Sequence, residues 1–242
     1  MTATERAVRI ARTASDGRRY FQTFRVPCGP RTTVLDALLY IHRQLDRTLA
    51  FRYACRQAMC GTCGVRVNGV ERLACYTLLG AVPGRVVTVE PLRHLPVIRD
   101  LVVDFGPFFL AWAAVKPAFT PADQSRAEPA QIPPADPDRQ AIDRHRECIS
   151  CGLCYSACDV VGSRPSFPGP AALNHALCLV LDRRDGAGPD RLRAVDGPDG
   201  CWACRGLLAC SDVCPKGLAP SGAIEKLKRL IAFGRRWDGV AV

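Results

Sequence analysis

A chain of 242 residues is long enough for two modest domains or one large one, each with its own core, so stability does not demand disulfide staples. Its 14 cysteines make up about 6% of the residues, below the roughly 8% at which a short secreted chain reads as a disulfide scaffold. The net charge of +10 suits nucleic acid, anionic lipid or an acidic partner, but of the 33 basic residues all except Lys116, Lys216, Lys226 and Lys228 are Arg, and they are scattered.

Residues 1–20 hold no apolar run of signal-peptide type, so export is not indicated, and reduced thiols are expected to serve as metal ligands. Residues 7–12 and 20–26 alternate apolar with polar around the turn residues Ser15-Asp16-Gly17, which predicts a β-hairpin. Thr32-Thr33 then precedes Val34, Leu35, Leu38, Leu39 and Ile41, an apolar face at helical spacing behind a candidate N-cap. Cys55, Cys60 and Cys63 follow, with four residues in the first gap and two in the second. This is the plant-type ferredoxin spacing for a [2Fe-2S] cluster, which needs a fourth thiolate farther on. A second hairpin, turning at Asn68-Gly69, is predicted to return Cys75 to that loop, and Val86 to Glu90 reads as a closing strand. Together these elements predict a β-grasp ferredoxin domain over residues 1–100.

The longest nearly apolar segment, Phe105 to Val115, contains Gly106 and Pro107 and is about half of the ~20 residues needed to span a bilayer. Pro117 to Pro137 is Pro-rich, so residues 101–138 are expected to form a connecting segment. From Ile142 onward the strand signal disappears, and residues 173–181 and 221–233 read as helices. Residues 139–242 should therefore be mainly helical, and the whole chain α+β.

Cys148, Cys151, Cys154 and Cys158 have the bacterial ferredoxin spacing, in which the fourth Cys ligates a different cluster from the first three. Downstream, Cys204, Cys210 and Cys214 lack the Cys expected at 207, where Leu207 stands. Assigning Cys214 to Cys148, Cys151 and Cys154 completes a [4Fe-4S] set, and Cys158, Cys204 and Cys210 remain as a three-thiolate set suited to [3Fe-4S]. Cys28 and Cys178 read as small buried hydrophobes; Cys201, three residues before Cys204, is an alternative fourth ligand. Zinc is the competing occupant for Cys55, Cys60, Cys63 and Cys75, but structural zinc usually uses two Cys-x-x-Cys pairs. Gly61, Thr62 and Gly64 are expected to let backbone N–H groups approach the sulfurs. His42, His94, His145 and His175 form no ligand pair, and nothing is spaced as a nucleophile with its base, so no catalytic residue is assigned. A basic zinc-binding nucleic-acid module is the non-enzyme alternative, which the cysteine spacing disfavours.

These motifs resemble, in this order, those of the iron-sulfur subunit of succinate dehydrogenase and fumarate reductase. The resemblance is carried by Cys55-Arg56 to Cys63, Asn68-Gly69 with Leu73-Ala74-Cys75, Pro96 to Asp104, Cys148 to Cys158, Gly169-Pro170-Ala171, and Cys210 to Leu218. It implies a β-grasp plant-type ferredoxin domain followed by an α-helical bacterial-ferredoxin-like domain. It also implies an electron wire from the FAD of a flavoprotein subunit through [2Fe-2S], [4Fe-4S] and [3Fe-4S] to quinone at a membrane anchor, with haem b in that anchor. The chain would then sit peripherally on the cytoplasmic face of the inner membrane, with no nucleic-acid partner. Many relatives have Pro where Asp159 stands, and quinone-site relatives have Trp and His where Ser163 and Arg205 stand. These departures imply the branch with a dihaem cytochrome b anchor, with menaquinone as the quinone. Lys226 to Leu230 with Arg235 and Arg236 are expected to face lipid headgroups or solvent. The alternative reading is the iron-sulfur subunit of another flavin-linked system, heterodisulfide-reductase-like or a thiol-dependent fumarate reductase.

Overall fold

Strands β1 (Thr4–Thr13) and β2 (Arg19–Cys28) form the predicted hairpin, in register from Thr4 opposite Cys28 to Thr13 opposite Arg19. The structure is a computed structural model that describes residues 4–125, 128–129 and 131–234. Helix α1 (Val34–Tyr40) starts at Thr33, whose Oγ1 accepts from Asp36 N–H at 3.1 Å, while Asp36 Oδ2 accepts from Thr33 N–H at 2.9 Å. That reciprocal capping box satisfies two amides that the first turn leaves unpaired. The helix then runs into a π-helical turn (Ile41–Leu45).

Strands β3 (Gly64–Val67), β4 (Val70–Leu73) and β5 (Val86–Glu90) complete a five-stranded sheet in the order β2-β1-β5-β3-β4. Among the described strands only β1 and β5 pair in parallel, and the crossover that such a pair requires contains α1 and the cysteine loop. Val8, Ile10, Val65, Val67, Val87 and Val89 are buried from the sheet, and Val34, Leu35, Leu38 and Ile41 from the helical side. Asn68 (φ +48) and Gly69 (φ +82) make the tight turn between β3 and β4, whose left-handed residues match the twist of the strands.

A short pair, β6 (Val97–Arg99) and β7 (Val102–Val103), turns at Asp100, within a segment whose sequence pattern announces no element. Asp100 is fully buried and accepts from Thr13 N–H at 2.7 Å and Ala50 N–H at 2.8 Å. Arg12 approaches it at 3.3 Å and also binds Asp46, Thr48 and Gln22 at 2.6–2.7 Å. This ionic hub ties the first strand to the segment leading into the cysteine loop.

The remaining elements are helical: α2 (Gly106–Ala114), α3 (Pro137–Arg146), α4 (Leu153–Ser156), α5 (Asp159–Ser163), α6 (Pro170–Leu181), α7 (Gly188–Val195), α8 (Ala209–Asp212) and α9 (Pro220–Phe233). The chain divides into two compact units: Met1–Phe105 with Ile149–Ala157, and Gly106–Cys148 with Cys158–Val242. The turn α4 thus belongs to the unit that holds the sheet. In the other unit α6 is buried along almost its whole length and packs against α3, α7 and α9. Arg191 is fully buried there, bonded to Asp185, to Ala118 O and, at 2.8 Å, to Lys116 O. It fastens the start of the Pro-rich stretch beside α7. In α9, Ala223, Ile224, Leu227 and Leu230 face inward while Lys226 and Arg229 are exposed; Arg235 and Arg236 lie outside the described residues. Among the described residues no helix is long and apolar enough to cross a membrane.

Candidate iron-sulfur cluster sites

Cys55, Cys60 and Cys63 lie on the loop before β3, and Cys75 lies in a 3-10 turn (Ala74–Tyr76) directly after β4. The β3–β4 hairpin brings the fourth Cys back, with Ala74 N–H bonded to Cys63 O at 3.0 Å. Arg56 (φ +61) and Ala58 (φ +57) are left-handed, an uncommon conformation for residues with a side chain. This winding aims successive amides at the sulfurs, as in an anion-binding nest. Cys55 Sγ accepts from the N–H groups of Gln57 at 3.5 Å and of Met59 and Cys60 at 3.3 Å, and Cys75 Sγ accepts from Ala58 N–H at 3.4 Å. The Thr62 hydroxyl, with the Cys55 and Thr62 backbone adding to it, holds the Cys60 thiol down to about 6. Burial, then the neighbouring Cys75 and Cys60 sulfurs, pushes Cys63 up to about 12.

Four thiols linked in this way, with amides donating to sulfur, fit an anionic [2Fe-2S] group whose potential such bonds tune. Among the described residues, no three His, Cys, Asp or Glu side chains gather as they would around one metal ion.

The glycines of this loop do something the sequence did not announce. The amides that bond sulfur come from residues 57–60 and from Thr62. Gly61 (φ +72) instead allows close approach: a Cβ there would lie 2.6 Å from Cys151 Cβ and 2.8 Å from its Cα. At Gly64 a Cβ would meet Leu153 Cδ2 at 3.2 Å and Cys151 O at 3.3 Å. Backbone therefore rests on backbone where the Cys151–Cys154 turn meets the Cys60–Gly64 segment. Cys148 and Cys214 belong to the other unit.

In that other unit Cys158 lies just before α5, Cys204 after a 3-10 turn (Cys201–Ala203), and Cys210 in α8. Burial raises the Cys158 thiol, the Val161 and Val160 amides oppose that rise, and Cys204 adds to it. Burial likewise pushes Cys210 up to about 11, with Cys158 and Cys204 contributing. The three thiols thus act on one another electrostatically. Cys201 is fully buried and pushed up to about 11 by burial first and Asp196 second; Cys204 is the cysteine acting on it. Lys228 Nζ donates to Cys204 O at 3.0 Å.

Comparison with known proteins places the chain in a family. Residues 7–110 match the model of a 2Fe-2S iron-sulfur cluster binding domain, and residues 144–218 that of a 4Fe-4S dicluster domain. The chain is 42% identical over 208 residues to the fumarate reductase iron-sulfur subunit of Mycobacterium tuberculosis, covering 86% of this chain and 84% of that one. It belongs to the family of fumarate reductase and succinate dehydrogenase iron-sulfur subunits. The corresponding subunit of Haemophilus influenzae is 38% identical, with 88% and 87% covered. A mitochondrial succinate dehydrogenase iron-sulfur subunit of Oryza sativa is 35% identical over 96% of this chain and 77% of its own length. Among solved structures, the Mycobacterium smegmatis Sdh1 complex in the apo form contains a chain that superposes with a TM-score of 0.87 at 27% identity, covering 99% of this chain and 100% of that one.

As an iron-sulfur subunit of such an oxidoreductase, the chain is an electron carrier. Elsewhere, the Cys178 thiol, pushed up to about 11 by burial, points to Ile142 O at 3.9 Å. Cys28 is buried beside Gly29 O. His42, His145 and His175 bond Leu49 O, Asn174 and Pro117 O at 2.8–3.1 Å. Leu207, which stands where a further ligand was expected, is exposed.

Proposed function

We propose that this iron-sulfur subunit passes electrons between the FAD of a flavoprotein partner and quinone or haem b at a membrane anchor. The ligand sets are Cys55, Cys60, Cys63 and Cys75 for [2Fe-2S], Cys148, Cys151, Cys154 and Cys214 for [4Fe-4S], and Cys158, Cys204 and Cys210 for [3Fe-4S]. When bound, such clusters supply the one-electron chemistry that no side chain here offers. The protein's own residues anchor the sulfurs and donate hydrogen bonds to them.

The observation that carries the reading is the amide nest that donates to the sulfurs of Cys55 and Cys75. The mutual electrostatic influence of the Cys158, Cys204 and Cys210 thiols supports the third set. The [4Fe-4S] set rests on the spacing of the Cys148–Cys158 run.

Two residues bear on the quinone. The Ser163 hydroxyl is used within its own helix, donating to Asp159 O at 3.1 Å, and Arg205 is exposed. Neither replaces the Trp and His of quinone-site relatives, so we assign quinone chemistry to the anchor, in its dihaem cytochrome b form and with menaquinone. Through that anchor the subunit would lie peripherally on the cytoplasmic face of the membrane.

The test is purification of the native complex, followed by iron and acid-labile sulfide analysis, EPR, a haem spectrum, and succinate and fumarate assays with quinones of different potential. Three distinct iron-sulfur signals, flavin on a partner and activity with succinate or fumarate are expected. Fewer than three signals would remove the three-cluster assignment, and zinc without sulfide would remove the reading altogether.

A further inference from the structure

Glu71 breaks the pattern of its strand. In β4 the buried positions are Glu71 and Leu73, so a carboxylate only 4% exposed sits where alternation calls for an apolar side chain. A buried carboxylate is costly unless paired and hydrogen-bonded, and its partners identify what it holds. Arg66, opposite it on β3, and Arg93 place their Nε atoms 3.5 and 3.4 Å from Glu71 Oε1. The same oxygen accepts from Ser156 Oγ at 2.9 Å, a bond between residues 85 apart in sequence. Ser156 is fully buried and its hydroxyl is used twice, because it also accepts from Arg93 N–H at 2.8 Å.

Ser156 is the last residue of α4, a four-residue turn that follows Cys151 closely and contains Cys154. One turn of helix has no stability of its own, since nucleation is unfavourable; its position is set by whatever grips it. The grip comes at two ends. Gly61 and Gly64 receive Cys151 and the Leu153 side chain at close range, and Glu71 and Arg93 hold Ser156.

We propose that Glu71 is a positioning residue. Acting through Ser156, it sets how closely the Cys151–Cys154 turn approaches the Cys55–Cys63 loop, and thereby the electron transfer between the groups those cysteines hold. The inference rests on the reading that both loops bind clusters.

The test uses the complex purified with its partner subunits, in wild-type form and carrying Ser156→Ala, Glu71→Gln or both. Iron and sulfide are counted per chain, and magnetic relaxation of the reduced [2Fe-2S] EPR signal reports the proximity of a second paramagnetic centre. Absence of cluster signals from the wild type would sink the functional reading itself. With the wild-type signals in place, each single variant is expected to retain the [2Fe-2S] signal, while its relaxation slows or the second cluster's signal disappears. The double variant should be no worse than the worse single one, because both substitutions act on the same bond, which Ser156→Ala removes and Glu71→Gln weakens by taking away the charge. Wild-type relaxation with an intact second signal in both single variants would overturn the proposal. So would simultaneous loss of every signal in Ser156→Ala, which would mark a general folding role.

Discussion

Replacing Gly61 by Ala adds one methyl group and two separable costs. The first is conformational: Gly61 sits at φ +72, where an L residue costs roughly 1–2 kcal/mol. The second is steric. The new Cβ would lie 2.6 Å from Cys151 Cβ and 2.8 Å from its Cα, about 1 Å short of the ~3.5–4.0 Å of an ordinary carbon contact. No rotamer change relieves that overlap, because the atoms it meets are Cα and Cβ; the Cys151 turn must retreat. Gly17→Ala is the control, since Gly17 sits at φ +83 with nothing within 4 Å of an added Cβ. It carries the conformational cost alone and is expected to lower the melting temperature by a few degrees, with iron content unchanged. Gly61→Ala should show that loss and, in addition, reduced iron and sulfide and slower relaxation of the [2Fe-2S] signal. If the two variants match in iron, sulfide and EPR, the contact between the loops has no bearing on the clusters and the reasoning fails.

Other substitutions probe the supports of the sites. Asp100→Ala leaves the amides of Thr13 and Ala50 without an acceptor and removes a carboxylate from buried Arg12. It is expected to cost about 3–5 kcal/mol by thermal denaturation, with Asp100→Asn, which keeps an acceptor and tolerates a left-handed backbone, costing less. The Arg12 hydrogen bond, followed by those from Thr48, holds the Asp46 carboxyl far below its ordinary value. A depressed carboxyl stabilises the fold above its unfolded pKa of about 3.9, and that contribution is lost as pH falls. Melting temperature should therefore drop below about pH 4 more steeply in the wild type than in Asp46→Asn. Cys201→Ser should keep the iron and EPR signal of the third cluster, whereas Cys210→Ser should lose them.

The sheet was legible because its local signals agree with the global fold. The β1–β2 and β3–β4 hairpins carry both alternation and left-handed turn residues, and Thr33 with Asp36 marks the start of α1. Cysteine spacing carried the family because thiolate geometry constrains sequence closely. What stayed hidden depends on contacts between distant residues. Nothing near Asp100 announces that it will accept from Thr13 and Ala50, and Glu71 reads as an ordinary surface residue until Ser156 arrives from far along the chain. The short helices α3 and α7 escape a reading of pattern for a related reason: they are rich in Asp and Arg, and they are held by α6 more than by an apolar stripe of their own. Gly61 was visible as a small residue, but what it makes room for was not.

The sheet-bearing unit is not contiguous, since it includes Ile149–Ala157 as well as Met1–Phe105. During synthesis the first 105 residues can pair their strands, but Glu71 has no hydroxyl to accept from and Gly64 no leucine to receive until Ala157 has left the ribosome. Until then the unit presents a buried-type carboxylate and a row of small residues to water. The order of assembly is thereby written into the topology: the N-terminal unit is completed only after residues 106–148 have been made, so the Glu71–Ser156 bond and the glycine contacts form late.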